Sequence, residues 1–413
     1  MKILHITQNY FPSRGGSQYM IQKISEYLKK TYNDDVTVIT TNSYYGPHRR
    51  EFKKIPQGNE IINGITVKRF GFMSAHKVPF KILGKLTKKI FGAALQDFFT
   101  NIQYGPISRT MRSAIIKEPC DVICASTVHY SFADYPLWRK KISRPKPFVM
   151  FGALHLHNNA ISKSYKKRII AADYYIANTQ YEKDYLITEG IDAEKIKVIG
   201  TATDILDNTG NLKPPAELRL KYKIAAEKKI ITFIGRQEIS KSIKTLIDAF
   251  FDLEKRLSNI QLVIAGAEGT YSAQLEAIVA GHKKILLQKN ISDEQKAEIL
   301  SITDVLVLPS VEESFGIVFI EAWAFKKSVI GANIGAIASL ISQGEDGLLF
   351  SPGNHLDLSK KIEALISSDS LRYNMGEHGH KKFLENYTWD IVANRFRQVY
   401  ESAIIKYGKK SSA

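Results

Sequence analysis

The residues with the clearest capacity for chemistry lie in the stretch 309–321, Pro-Ser-Val-Glu-Glu-Ser-Phe-Gly-Ile-Val-Phe-Ile-Glu. The apolar run before it predicts a buried strand, and its own apolar end opens a predicted helix. Glu313 then lies in the loop and Glu321 in the helix, about two turns later. Gly316 lets a ligand approach the backbone, where free amides and the helix dipole favour an anion. A sugar nucleotide suits this layout, although a solvated acid before a core helix has the same spacing.

Two cations occupy a second predicted junction between a strand and a helix. Arg236 and Lys241 lie between an apolar strand over 230–235 and a helix that begins at Ile243. A guanidinium is a planar fork of donors and an ammonium is a compact point charge, and both suit a diphosphate. The alternative is a pair of surface charges ahead of an ordinary helix.

A histidine ends another predicted strand, which covers residues 147–155. Because the carboxyl ends of parallel strands face the ligand in such sheets, His155 is expected in the site, with His157 as the second choice. The alternative for His155 is a hydrogen-bonded residue with no chemical role. A His-x-His pair also suits a metal ion, but the sequence offers no third ligand.

The elements that must position these residues form two series of alternating strands and helices, which predicts an α/β architecture. The first series opens with a strand over 2–8, a loop that holds Gly15 and Gly16, and a helix from Gln18. The glycine pair is either a ligand-facing helix start or a plain turn, and it departs from G-x-G-x-x-G. Asn63-Gly64 between apolar runs predicts a hairpin. A polar stretch over 205–228 is interpreted as the connection to the second series.

Composition and charge favour a multidomain globular protein with an anionic partner and argue against disulfide-rich, membrane-spanning and nucleic-acid-binding classes. The 413 residues suffice for two or three domains, and the formal net charge of +17 calls for an anionic partner. Cys120 and Cys124 are too few for a disulfide framework and are expected to be buried thiols in a reducing cytoplasm. The chain has no apolar run long enough to span a membrane and no recognisable signal peptide. The absence of nucleic-acid-binding motifs argues against nucleic acid.

The strongest charge feature lies within residues 77–112. Its lysines recur at helical spacing beside an apolar stripe, at Lys81, Lys85, Lys88 and Lys89. A basic amphipathic helix of this kind docks on an anionic membrane surface. An ordinary packed helix with a solvated lysine face has the same pattern.

The stretch 309–321 resembles the E-x7-E motif of retaining glycosyltransferases of family 4. Gly235-Arg236-x-x-x-x-Lys241 resembles a second motif of that family, and the likeness covers nearly the whole chain. It implies an α/β GT-B fold, with two Rossmann-like domains facing a central cleft. The expected domains are an acceptor-side domain over 1–205, with a final helix over 388–410 packed back on it, and a nucleotide-sugar domain over 206–387.

The resemblance also implies roles for individual residues. It assigns His155 and Glu313 to catalysis, with Glu313 on the donor sugar and Glu321 on the ribose. The complete set expected to bind the donor is Gly16, Arg236, Lys241, Gly266, Ile291, Ser314, Phe315, Gly316, Ile317, Val318 and Glu321. The chain departs from the family pattern at Ala202, Ser242, Lys326, Ala338 and Ser339.

The function implied by this resemblance is transfer of a hexosyl group from a nucleotide diphosphate sugar, with retention, to a hydroxyl of a glycan or lipid-linked acceptor. Cell-surface polysaccharide or glycolipid synthesis is the expected context. No cofactor and no metal are expected. The expected location is the cytoplasm, with peripheral contact to the inner face of the membrane. The alternative function is a non-catalytic GT-B subunit that binds a sugar nucleotide or a partner protein.

Overall fold

A computed structural model describes residues 1–13, 15–45, 52–73, 105–138, 142, 145–152, 154, 156 and 161–411. The chain divides into two compact units. The first comprises Met1–Ile199 and Val392–Ala413, and the second comprises Gly200–Ile391. The corresponding limits predicted from the sequence are residues 205 and 387.

The first unit is built on a mostly parallel main sheet and a separate antiparallel pair of strands. Its strands are β1 (Lys2–Thr7), β2 (Asp35–Thr41), β3 (Ser43–Tyr45), β4 (Phe52–Lys54), β5 (Gly58–Ile62), β6 (Ile65–Phe70), β7 (Val122–Ser126), β8 (Phe148–Phe151), β9 (Tyr174–Ala177) and β10 (Ile196–Val198). The order in the main sheet is β10-β9-β8-β7-β1-β2-β6-β5, and only β5 runs antiparallel to its neighbour, while β3 and β4 form the separate pair. Strands β7 and β8 are buried along their whole length, as expected where helices cover both faces of a parallel sheet.

The helices described in the first unit connect these strands. They are α1 (Gly16–Tyr32), α2 (Arg109–Lys117), α3 (Tyr135–Trp138), α4 (Lys163–Ala171) and α5 (Gln180–Thr188). Short polar side chains cap three of them: Ser108 caps α2, Ser162 caps α4 and Thr179 caps α5. Each cap accepts a hydrogen bond from an amide of the first turn, which fixes where its helix begins.

The second unit is built on an all-parallel sheet. Its strands are β11 (Lys229–Ile234), β12 (Ile260–Gly266), β13 (Ile285–Lys289), β14 (Val305–Leu308), β15 (Ser328–Ala332) and β16 (Leu348–Phe350). Its helices are α6 (Pro215–Lys221), α7 (Ile243–Leu253), α8 (Ser272–Val279), α9 (Asp293–Ile302), α10 (Ile317–Ala324), α11 (Gly335–Leu340), α12 (His355–Ile366) and α13 (Asp369–Asn386). The last helix, α14 (Trp389–Ser411), belongs to the first unit from Val392 onwards. The order β13-β12-β11-β14-β15-β16 reverses direction at β11. Ligands bind at such a switch point in open α/β sheets.

The structure confirms the two Rossmann-like α/β units, and it confirms the hairpin. Strands β5 and β6 pair antiparallel across Asn63 and Gly64, which both have positive φ. Two other predictions about elements were wrong. The strand predicted over 147–155 ends at Phe151. The stretch over 205–228 belongs to the second unit and does not merely connect the two, because Ile205 and Leu218 are buried in its core, although the helix expected there from Ala216 is present as α6.

Both cysteines are buried thiols in the first unit. Burial raises the pKa of Cys120 and of Cys124 to about 12, so neither is a thiolate at neutral pH. Within the described ranges, no helix is both long enough and apolar enough to cross a membrane. The lysines predicted to contact a membrane, Lys81, Lys85, Lys88 and Lys89, lie outside the described residues.

Candidate active site

The carboxyl ends of four neighbouring strands in the second unit carry the candidate site. The loops that leave β11, β12, β13 and β14 are joined by backbone hydrogen bonds of 2.7–3.1 Å. These bonds are Gln237 N–H to Ala267 O, Val311 N–H to Ser240 O, and Asn290 N–H to Gly266 O. The loops therefore form one continuous surface, although they are distant in sequence.

Two glycines are required where these loops approach one another. Gly266 has φ +136, and a Cβ there would lie 2.1 Å from the carbonyl oxygen of Gly235. Gly316 has φ +92 at the start of α10, and a Cβ there would lie 2.8 Å from the Phe319 ring. Both positions combine left-handed backbone with contact that excludes a side chain. Both glycines are among the residues predicted to bind the donor.

Lys241 and Glu313 form an ion pair across this surface. The Lys241 Nζ lies 2.5 Å from Oε1 of Glu313, and both side chains are partly buried, with 22% and 13% exposure. Lys241 follows β11 and Glu313 follows β14, so the pair joins adjacent strand ends. The two residues were predicted to act on different parts of one donor, and the structure brings them into contact.

Glu321 makes a second ion pair, with a residue that the sequence analysis missed. Its Oε1 lies 2.6 Å from Nζ of Lys296 on α9, and 3.5 Å from Oγ1 of Thr203. Glu321 is 5% exposed. Burial alone would lower the pKa of Lys296, but attraction to the Glu321 carboxylate outweighs it and raises that pKa. The Lys296 charge is therefore firmly held beside Glu321.

The remaining groups suited to a diphosphate are Arg236 and the start of α10. The Arg236 side chain is exposed at the end of β11, where its guanidinium is accessible to a ligand. Among the described residues, no side chain caps α10, whose first amides follow Gly316. An uncapped helix start three residues after Glu313, the partner of Lys241, is a good environment for an anion.

The other residues predicted to bind the donor differ in what they offer. Phe315 is buried, and its ring packs edge-on against Tyr387, so its side chain belongs to the core. Ile291 separates Asn290, which has positive φ, from the capping box of α9. Ser314, Ile317 and Val318 lie in the same turn and offer backbone groups. In the first unit, Gly16 begins α1, and a Cβ there would point into open space.

Both histidines predicted near the reacting carbon, His155 and His157, lie outside the described residues. The described residues around them are Gly152, which follows β8, and Leu154. Both belong to the first unit.

Two family models match the chain, one on each part. The model of Glycosyltransferase Family 4 matches residues 14–205, and the model of glycosyl transferases group 1 matches residues 216–382. The chain carries the two domains of these glycosyltransferases. This finding agrees with the resemblance in the sequence, although it does not test the E-x7-E motif or the retention of configuration.

Several curated relatives have glycosyltransferase names. The D-inositol 3-phosphate glycosyltransferase of Rhodococcus opacus is 25% identical over 59% of this chain and 56% of its own length. The capsular polysaccharide biosynthesis glycosyltransferase CapM of Staphylococcus aureus is 27% identical over 59% of this chain and 60% of its own length. An uncharacterized glycosyltransferase of Methanocaldococcus jannaschii is 28% identical over 70% and 78% of the two chains. The chain thus matches little more than half the length of the first two of these relatives.

Solved glycosyltransferase structures have the same fold. The sucrose-phosphate synthase of Thermosynechococcus elongatus aligns with a TM-score of 0.71 at 17% identity, over 98% of this chain and 100% of its own. HepE of Anabaena, in complex with UDP and glucose, aligns with a TM-score of 0.69 at 18% identity, over 97% and 100%. At this level of identity the likeness shows the fold alone. The prediction of a GT-B fold is confirmed.

Proposed function

We propose that the protein transfers a hexosyl group from a nucleotide diphosphate sugar to an acceptor hydroxyl, with retention at the anomeric carbon. One observation carries the proposal: Arg236 and the Lys241–Glu313 pair belong to the loop surface at the switch point of the second unit, and the Lys296–Glu321 pair joins α9 and α10, the helices that follow two of these loops. Cations for a diphosphate and carboxylates for hydroxyl groups are what a sugar nucleotide needs. The relatives with glycosyltransferase names support the reaction class.

In the proposed reaction, the bond between the anomeric carbon and the diphosphate breaks while the acceptor oxygen bonds to that carbon from the same face. Negative charge develops on the leaving phosphate, where Arg236, Lys241 and the first amides of α10 would stabilise it. The acceptor hydroxyl would give its proton to the leaving phosphate, so no separate protein base is needed. Such preorganised donors are each worth on the order of 100- to 1000-fold in rate.

A cavity in the first unit supports an acceptor that carries an anionic group. Its volume is about 360 Å³, and its wall includes Arg109, Arg112 and Trp138, together with one acid, Asp134, which is already paired with Arg168. The Arg112 guanidinium lies 4.5 Å from the centre of the Trp138 ring. An aromatic ring beside two arginines suits a sugar bearing a phosphate or carboxylate. Two relatives are named for an inositol phosphate and for a capsular polysaccharide, which fits this acceptor class.

We place the protein in the cytoplasm, with peripheral contact to the membrane through the basic segment that holds Lys81, Lys85, Lys88 and Lys89. The net charge of +17 supports attraction to an anionic surface. Sedimentation with vesicles that contain 30 mol% anionic lipid tests this part of the proposal, with neutral vesicles as the control. Equal binding to both vesicle types, or to neither, would contradict it.

The first experiment is thermal stabilisation by UDP, GDP, ADP, dTDP and CMP, each alone. A nucleotide at about 100 times its dissociation constant adds about 2.7 kcal/mol to the free energy of unfolding. UDP is the first choice, because HepE was solved with UDP and glucose. Sugar nucleotides with the selected base then follow, and NMR of the product reports its anomeric configuration. If no nucleotide stabilises the protein, the proposal fails.

A further inference from the structure

A buried carboxylate in the first unit accepts three hydrogen bonds. It lies beside the backbone that leaves strand β8 at Gly152 and Leu154, which we call the exit of β8. Glu182, in the first turn of α5, is 2% exposed. Its Oε1 accepts a hydrogen bond of 2.6 Å from the Tyr175 hydroxyl and one of 3.3 Å from the Leu154 amide. Its Oε2 accepts one of 2.8 Å from the Asn178 amide. A fully buried carboxylate with three donors is a costly group to retain, so its position calls for an explanation.

The backbone that leaves β8 rests directly on this carboxylate. A Cβ at Gly152 would lie 2.2 Å from the Tyr175 hydroxyl and 2.3 Å from Oε1 of Glu182. Only a residue without a side chain lets the backbone come this close. Glu182 therefore joins β9, the start of α5 and the exit of β8. At this exit β8 ends, although the sequence predicted that the strand continues to residue 155.

We propose that Glu182, together with Tyr175, is a positioning residue for the transfer reaction, because it fixes the backbone at Gly152 and Leu154, just past the carboxyl end of β8, and this edge of a parallel sheet faces ligands. This inference rests on the proposed function. The ionised carboxylate accepts from all three donors at once. A protonated carboxyl is a weaker acceptor, and of the three partners only the Tyr175 hydroxyl can accept its proton, so that hydrogen bond reverses and the exit of β8 is held less firmly.

The charge of Glu182 changes in the physiological pH range. Burial raises the pKa of Glu182 to about 7, and its three hydrogen bonds counteract part of that rise. In the described residues, Tyr175 on β9 is the titratable side chain in contact, whereas β8 and α5 contribute backbone amides. Burial and the adjacent carboxylate raise the pKa of Tyr175 well above its usual value, so this neighbour stays neutral. Turnover should therefore fall as the pH drops below about 7.

Two variants and one control separate positioning from stability. Glu182→Gln keeps the shape and mimics the neutral form, while Tyr175→Phe removes one donor and should raise the pKa of Glu182 further. The control is Asp173→Asn, at the residue immediately before β9, the strand that carries Tyr175. Asp173 is also buried, and its Oδ2 accepts a hydrogen bond of 2.8 Å from the Phe148 amide.

The assays use the full chain with the sugar nucleotide found by the nucleotide screen. Glu182→Gln should lower kcat about 10- to 100-fold at pH 8, since small misplacements have effects of this size. Its KM for the donor and its stabilisation by UDP should match the wild type. The acid limb of the kcat profile should vanish in Glu182→Gln and move to higher pH in Tyr175→Phe. Hydrogen exchange at Leu154 should accelerate in Glu182→Gln and stay unchanged in Asp173→Asn.

Three outcomes would overturn the inference: an unchanged pH profile in Glu182→Gln, an equal loss of kcat in Asp173→Asn at the same folded fraction, or unchanged exchange at Leu154. Failure of the proposed function gives a different result. In that case the wild type turns over no sugar nucleotide. The exchange comparison still decides whether Glu182 holds the exit of β8.

Discussion

The Lys241 ammonium lies 2.5 Å from the Glu313 carboxylate, and this pair links the loop after β11 to the loop after β14. The sequence motifs that contain the two residues are separated by 72 positions. Their contact means that the charge available to a bound diphosphate depends on both residues. The pair therefore connects diphosphate binding with the carboxylate expected to contact the donor sugar.

Removal of the lysine tests the proposed leaving-group stabilisation. We expect Lys241→Ala to lower kcat/KM for the sugar nucleotide on the order of 100- to 1000-fold, because one preorganised cation is lost. The matched control is Lys244→Ala. Lys244 is three residues further on, has a side chain 64% exposed, and pairs with Asp248 within its own helix. Wild-type turnover in Lys241→Ala, or an equal loss in Lys244→Ala, would rule out this role.

Replacing the Glu313 carboxylate with a neutral amide should change UDP binding and sugar transfer in opposite directions. In Glu313→Gln, Lys241 no longer has an anionic partner and attracts a diphosphate more strongly. We expect UDP to bind a few-fold more tightly while sugar transfer slows at least tenfold, because the amide cannot replace the carboxylate on the sugar. Calorimetric titration with UDP and a turnover assay measure the two effects. Weaker UDP binding in Glu313→Gln would contradict the idea that Glu313 offsets the Lys241 charge available to a diphosphate.

The Lys296–Glu321 pair should matter for stability as well as for the site. Lys296→Ala leaves the Glu321 carboxylate, which is 5% exposed, without a cation. Breaking a buried pair in this way costs about 3–5 kcal/mol. Urea unfolding measures the loss, and the double variant Lys296→Met with Glu321→Gln should recover most of it, because no unpaired charge remains. If the double variant is as unstable as Lys296→Ala, the ion pair is not the cause.

These two pairs also show what the sequence predicts and what it does not. Glu313, Gly316 and Glu321 lie in one contiguous stretch, so their spacing revealed them. Lys296 was missed because its contact with Glu321 depends on how two separate βα units pack. Thr203 is 118 residues from Glu321, and no local pattern marks it.

The limits of strand β8 were missed for a similar reason. The sequence from Pro147 to His155 is apolar, and an apolar run alone predicts a strand to its end. The strand ends at Phe151, and the next residue, Gly152, packs directly against Glu182 and Tyr175 from the next βα unit. Such a tertiary contact has no counterpart in local hydrophobic periodicity.

Two departures from the family pattern should lower stability. These departures, Ser242 and Lys326, adopt φ of 48° and 56°. Left-handed backbone costs an ordinary residue about 1–2 kcal/mol, a cost that glycine avoids. We therefore expect Ser242→Gly and Lys326→Gly each to raise the free energy of unfolding by about 0.5–1 kcal/mol. The control is Lys381→Gly in the interior of α13, which should lower it.

The last prediction concerns a buried histidine in the first unit. His5 is 0% exposed; its Nδ1 lies 2.7 Å from the Ser25 hydroxyl and its Nε2 lies 3.0 Å from the Tyr400 hydroxyl. Burial lowers the pKa of His5 from 6.5 to about 3. The unfolded chain therefore binds more protons than the folded protein below pH 6.5, and stability is lost as the pH falls from there towards 3.

We expect this one group to lower the free energy of unfolding by about 2 kcal/mol between pH 8 and pH 5. His5→Gln removes the titrating ring, so the wild type should lose that much more stability than this variant over the interval. The control, His378→Gln, changes an exposed histidine and should follow the wild type. Because the raised pKa of Glu182 acts with the opposite sign, the difference between wild type and variant is the quantity to measure. Parallel pH curves for the wild type and His5→Gln would show that His5 does not titrate differently on unfolding.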